Sequence, residues 1–147
     1  VLETERVETA VIHLHVTLEQ MAAAMDPAIA EIMGVLEAQG VTPVGPMFTH
    51  HSRRPTETFD FDVGFPVDRP VEPVGRVRPG ALPGRRVART VYTGPYEGLP
   101  AAWGDFSAWM DAQGLRQDED LWEVYETGPH TSDDASTWRT ELNRPLL

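Results

Sequence analysis

Glu123 and Tyr125 stand two residues apart in the run Leu121-Trp122-Glu123-Val124-Tyr125, within a longer stretch from Asp120 to His130. The run alternates, so a β-strand would place the carboxylate and the phenol on one face, with Trp122 and Val124 on the other. A carboxylate between aromatic residues suits a face that is wet or that meets positive charge. Removing it from water costs several kcal/mol unless a cation or hydrogen-bond donors replace the solvent. Two chemistries follow. One is capture of a cation, to which aromatic walls add about 0.5–2 kcal/mol of cation–π attraction. The other is acid–base work, with Glu123 activating a water and a tyrosine donating a proton. The same pattern also suits an ordinary ion pair between Glu123 and an arginine such as Arg139, with Tyr125 as a core tyrosine whose hydroxyl is satisfied.

Other constellations are weaker. His13 and His15 share one face of a strand by alternation, as do Asp60 and Asp62. Were those strands neighbours facing the same way, two histidines and a carboxylate could meet a metal. The spacing is no recognised metal signature, and a solvated polar face reads identically, so neither metal nor cofactor is expected. His50 and His51 are adjacent and would point to opposite faces. Asp118-Glu119-Asp120 reads as a solvated loop, Ser132 to Ser136 as an exposed hairpin and Gly80 to Gly84 as a turn. Neither a phosphate-binding glycine loop nor a nucleophile elbow occurs.

Composition narrows the classes. The 147 residues contain no cysteine, which excludes disulfides, thiolate nucleophiles and sulfur-ligated zinc. All 12 basic residues are arginine, which rules out Schiff-base chemistry on lysine. A formal charge of −11 argues against a polyanionic partner and favours cationic guests. No apolar run approaches the ~20 residues that a membrane-spanning helix needs, and the N-terminus has no secretion signal, so a cytoplasmic setting is expected. Val1 stands where a Met would start a complete chain, which leaves open a cut from a longer protein.

The elements that must hold these residues come in two copies. Glu37-Ala38-Gln39-Gly40-Val41 returns as Asp111-Ala112-Gln113-Gly114-Leu115, an offset of 74 residues. Met25, Ile29, Ile32 and Leu36 return as Leu99, Trp103, Phe106 and Met110, the stripe of an amphipathic helix. Asp26-Pro27 and Pro100 are the expected helix starts, and Gly40 and Gly114 the stops. By phase, Trp103, Phe106, Trp109 and Trp122 read mostly as core. Strands are expected over Thr9 to Val16, Val44 to His51, Thr58 to Phe65, Arg86 to Thr93, Leu121 to Thr127 and Thr137 to Leu142. The Pro-rich piece between the copies reads as a linker with a short extended segment. The expected fold is α+β: duplicated β-α-β-β halves at about 5–66 and 85–146 in a single domain of residues 1–147, joined by a linker at about 67–84. An antiparallel sheet would carry two helices packed on one side and a ligand cleft on the other.

Gly80-Ala81-Leu82-Pro83-Gly84-Arg85-Arg86-Val87-Ala88, Tyr92-Thr93-Gly94-Pro95-Tyr96-Glu97, Trp122-Glu123-Val124-Tyr125 and Trp138-Arg139-Thr140-Glu141-Leu142 through Pro145-Leu146 together resemble the GyrI-like small-molecule-binding family, the effector-binding domain of AraC-type and MerR-type regulators. The resemblance covers about Glu5 to Leu146 and is better in the second half. It implies two β-α-β-β halves about a pseudo-two-fold axis, with an aromatic, often cationic, ligand in a cleft between them. By motif, the strand glutamate facing the ligand is Glu123, its companion is Tyr125, and the tyrosine of the Gly-Pro-Tyr turn is Tyr96. Trp103 joins them as a flat wall, and Thr49 and His51 are the candidates from the first half. His50-His51 stands where relatives often have a tyrosine, so that half of the cleft should recognise something different.

The leading expectation is thus a stand-alone protein that senses or sequesters amphipathic cations. Alternatives are a hydrolase of reactive cytotoxic compounds, with Glu123 as base and Tyr125 or Tyr96 as donor, and the effector part of a transcription regulator that does not itself bind nucleic acid. A protein-binding adaptor rests on one argument, that the family it resembles is named for inhibition of a topoisomerase, a role in which an acidic surface would mimic DNA.

Overall fold

The computed structural model describes residues 1–51, 58–127 and 134–147. The end of the stretch singled out above, Gly128 to His130, and the first part of the expected Ser132 to Ser136 hairpin lie outside the described residues.

Among the described residues eight strands and two α-helices follow one another as β1 (Leu2–Glu3), β2 (Val7–Thr17), α1 (Leu18–Gln39), β3 (Phe48–His51), β4 (Thr58–Pro66), β5 (Arg78–Leu82), β6 (Arg86–Thr93), α2 (Leu99–Ala112), β7 (Leu121–Tyr125) and β8 (Arg139–Pro145). All pairings are antiparallel, in one sheet ordered β1-β6-β8-β7-β3-β4-β2-β5. The order is symmetric about the β7–β3 pair: β6, β8 and β7 on one side mirror β2, β4 and β3 on the other. At the centre, Thr49 lies opposite Glu123, and Phe48 and His50 lie opposite Val124 and Trp122. Thr49 and Glu123 differ by 74 positions, the repeat offset itself. The pseudo-two-fold axis therefore passes between them, and it makes His51 the counterpart of Tyr125.

The short leading strand of each half crosses to the other half. β1 pairs with β6, and β5 pairs with β2 from Val7 to Val11. β5 and β6 stand near opposite ends of the strand order, yet only Pro83-Gly84-Arg85 separates them, so the sheet must curl. Val11, Phe48, Leu82, Val87 and Trp122 fill the inside of that curl. The other face carries both helices: Ala28, Ile32 and Leu36 of α1 pack on Ala10, Ile12, Leu14, Phe61 and Val63, while Phe106 and Met110 of α2 pack on Ala88, Leu142 and Leu146.

Several expectations need correction. α1 begins at Leu18, not at Asp26-Pro27, and Pro27 lies inside it. Thr17 accepts from the Gln20 backbone N–H, and the Gln20 side chain accepts from the Thr17 N–H, a capping box that starts the helix two turns early. An interior proline costs about 3 kcal/mol, so the cap, the alanine-rich first turns and burial outweigh it here. The stops are as expected: Gly40 and Gly114 have φ of 66° and 71°, where glycine has no steric penalty. The linker is largely built into the fold, because Val67, Val71 and Val77 are buried under α1 and Gly80 belongs to β5 rather than to a turn. Trp109 is 47% exposed and not core. The acidic cluster is tied down, with Arg85 donating to Asp118 (2.7 Å) and His50 bonded to Asp120 (2.6 Å).

Candidate functional site

Alternation along β7 sends Trp122 into the curl and Glu123 and Tyr125 to the helix-bearing face. β3 likewise brings Thr49 and His51 to that face. A cavity of about 80 Å³ lies there, lined by Met21 and Met25 of α1, Thr49 and His51 of β3, Phe59 and Phe61 of β4, and Glu123 and Tyr125 of β7. This corrects the expectation of a cleft on the side away from the helices. That side is consumed by the curl, which packs Trp122 against Phe48 and Val87.

Glu123 is 8% exposed. The Trp103 indole Nε1–H donates to its Oε2 at 2.9 Å, and the Tyr125 hydroxyl donates to its Oε1 at 3.1 Å. Thr49 Oγ1 lies 2.8 Å from the Tyr125 hydroxyl and 3.5 Å from Glu123 Oε1, so its proton best serves Tyr125 and completes a chain ending on the carboxylate. The two direct donors, Trp103 and Tyr125, and Thr49 behind them are all neutral. Among the described residues no arginine or histidine forms an ion pair with Glu123. Arg139 faces Glu126 at 3.6 Å instead, which removes the ion-pair reading of Glu123. Burial pushes the Glu123 carboxyl above its ordinary value, and the bonds from Trp103, Tyr125 and Thr49 only partly oppose this. Burial, followed by the nearby Glu123, likewise holds Tyr125 well above the phenol range, so it stays a donor.

His51 is 5% exposed and its ring stacks on Phe61, with centroids 5.0 Å apart. Its Nδ1 is buried with no hydrogen-bond partner. Burial lowers its pKa to about 4, with His50 adding to the effect and Asp120 opposing it, so the imidazole is neutral at pH 7. His50 points to the other face, edge-on to Trp122.

Tyr96 and Trp103 do not line the cavity. Tyr96 packs edge-on behind Tyr125 at 5.7 Å and against Trp138 at 5.0 Å. Trp103 reaches the site only through its bond to Glu123. Met21, Met25, Phe59 and Phe61 complete the walls and were not anticipated as such. Thr17-Leu18-Glu19-Gln20 is a capping-box pattern that would have extended α1 upstream and brought Met21 over the sheet.

The His13 side chain bridges Asp60 and Asp62, the latter at 2.8 Å, on the surface. Among the described residues no group of three or more His, Asp or Glu side chains is placed to hold a metal. A larger, more open groove of about 300 Å³ runs between Arg89 and Thr90 and the Asp105, Phe106 and Trp109 side of α2. There Arg89 is already bound to Asn143 (2.7 Å) and Glu141 (3.1 Å). No described helix is long and apolar enough to cross a membrane.

Two β-α-β-β halves about a pseudo-two-fold axis are the architecture that the sequence resemblance implied, and the model of the GyrI-like small molecule binding domain matches residues 2–146. The chain belongs to that family. No curated protein matches it. Among solved structures, EcmrR in its complex with DNA superposes with a TM-score of 0.87 at 20% identity, covering 99% of this chain and 55% of that one. This GyrI-like chain thus spans about half the length of that EcmrR chain. The isolated EcmrR C-terminal domain gives 0.84 at 20% identity, covering 99% and 94%. SAV2435 bound to tetraphenylphosphonium gives 0.69 at 8% identity, covering 99% and 92%. A hydrolase from Listeria innocua gives 0.62 at 14% identity, covering 99% and 90%. At these identities the likeness is one of fold.

Proposed function

We propose that this GyrI-like domain binds amphipathic organic cations, with the charged head against Glu123 and apolar groups between Met21, Met25, Phe59, Phe61 and Tyr125. The observation that carries this reading is a carboxylate 8% exposed, held by neutral donors alone, at the wall of a cavity. Two neutral donors stabilise a carboxylate less than water does, so its charge is under-compensated until a cation arrives. The cavity, at about 80 Å³, holds a head group rather than a whole drug-sized molecule. Methionine side chains are unbranched and flexible, so Met21 and Met25 are the walls that yield to larger guests. Tolerance of shape with selectivity for charge follows. SAV2435, with its tetraphenylphosphonium, supports the same reading. Calorimetric titration with N,N-dimethylbenzylammonium, tetraphenylphosphonium and the anionic tetraphenylborate tests it. Binding of the cations but not the anion is expected; equal binding of the anion, or no binding of either cation, overturns it.

A second reading, hydrolysis, draws on the raised Glu123 carboxyl hydrogen-bonded to Tyr125 and on the Listeria innocua hydrolase fold. Glu123 would have to release Trp103 or Tyr125 to take a proton from water. Turnover of a strained electrophile, lost in Glu123→Gln, would favour it. The likeness to EcmrR supports a further setting, in which ligand occupancy is passed to an attached DNA-binding part. That predicts ligand-dependent DNA affinity in a chain containing both.

A further inference from the structure

The pseudo-two-fold axis pairs two contacts that ought to be alike. Tyr125 lies diagonally across the central strand pair from Thr49 and bonds to it at 2.8 Å. Its counterpart His51 lies diagonally across from Glu123 in the same geometry, because Thr49 is opposite Glu123 and His51 opposite Leu121. No hydrogen bond joins His51 to Glu123. Both instead line the same cavity, and His51 Nδ1 is buried without a partner. A buried nitrogen left in that condition is costly, and native structures seldom tolerate it without a reason.

We infer that His51 is a second recognition point and selects cations that carry an N–H: protonated primary, secondary or tertiary amines and amidines, rather than quaternary ammonium or phosphonium ions. Such a guest donates one hydrogen to Glu123 or sits against its charge, and gives a hydrogen to the bare imidazole nitrogen. A quaternary ion satisfies Glu123 by charge alone and leaves the buried imidazole nitrogen without a partner. At pH 7 the imidazole is neutral and therefore able to accept. The inference rests on Glu123 as counter-charge and adds a selection rule to it.

The matched probes are N,N-dimethylbenzylamine, protonated at pH 7, and benzyltrimethylammonium, which differ by one methyl in place of one N–H. Preference is the ratio of their dissociation constants, measured calorimetrically in the wild type, Glu123→Gln, His51→Phe and His51→Gln. His51→Phe keeps a flat ring against Phe61 but removes the acceptor, and His51→Gln restores one. Loss of a hydrogen bond to a charged donor should reduce the preference for the amine about tenfold or more in His51→Phe, with substantial return in His51→Gln. Should His51→Phe fail to fold, His51→Leu carries the same comparison. A wild type that favours the quaternary ion, or a preference unmoved within about twofold by loss of the imidazole, overturns the selection rule alone, provided that Glu123→Gln weakens both probes. If neither probe binds, or Glu123→Gln leaves both unchanged, the counter-charge reading fails and the selection rule with it.

Discussion

Replacing Glu123 by glutamine should move stability and affinity in opposite directions. In the empty protein the carboxylate is buried against neutral donors alone, and burial raises its pKa above the ordinary 4.5. A raised carboxyl means that the folded state binds the proton more tightly than the unfolded state. Stability therefore falls as pH rises from about the unfolded value to the folded value, then stays level, by about 1.4 kcal/mol for each unit between them. Glutamine removes that penalty and keeps the network satisfied. Its carbonyl accepts from Trp103, and its amide donates to the Tyr125 hydroxyl, which turns its proton toward Thr49. Glu123→Gln should thus be at least as stable as the wild type at pH 7, with the advantage shrinking toward pH 4. A cation about 4 Å from the carboxylate gains about 4 kcal/mol at an effective dielectric of 20. Its own desolvation reduces this, which leaves a loss of about 2–3 kcal/mol in the variant, or roughly 30- to 150-fold in Kd. Urea unfolding at several pH values and titration with N,N-dimethylbenzylammonium read the two effects. A variant that is less stable at pH 7 yet binds the cation as well as the wild type would refute the reasoning.

Tyr125→Phe removes the donor to Glu123 Oε1 and the partner of Thr49, and should cost about 1–3 kcal/mol at pH 7; a change below about 0.5 kcal/mol in denaturant unfolding would be contrary. Thr17→Ala removes the cap that starts α1 upstream of Pro27 and should cost about 0.5–2 kcal/mol, together with weaker cation binding, because Met21 rides on those first turns. Unaltered binding despite a lowered Tm would separate Met21 from the site. For His13, burial opposes the bonds and charges of Asp62 and Asp60, but the carboxylates prevail and its pKa is raised above 6.5. Its contribution is complete below pH 6.5 and is lost as pH rises through the raised value. The pair is on the surface, so the amount is at most about 1 kcal/mol, and it should vanish in His13→Gln in a pH series of thermal unfolding.

The duplicated halves were legible because stripe, stop and offset repeat together, and the strands from Thr58 and Arg86 start where alternation puts them. Glu123 and Tyr125 were legible for the same reason, since a period of two fixes which side chains share a face. What sequence could not settle was which face of the sheet stays open. That depends on the crossing of β1 and β5 to opposite halves, a long-range pairing with no local signal, and it is this crossing that curls the sheet around Trp122. The upstream extension of α1 was hidden by Pro27, whose local preference lost to the capping box at Thr17 and Gln20. Trp109 followed the helical phase but is half exposed, its ring stacked on Phe106 at the groove shared with Arg89 and Thr90.

The central claim concerns the charge on one side chain, and its titration can be observed. With glutamate labelled at the side-chain carbonyl carbon and assigned through Glu123→Gln, carbon NMR follows the Glu123 carboxyl as pH changes, with and without N,N-dimethylbenzylammonium. The expected result is a midpoint above that of the solvent-exposed glutamates in the empty protein, falling when the cation is bound. A midpoint in the ordinary range without the cation, or one that the cation leaves in place, would contradict it.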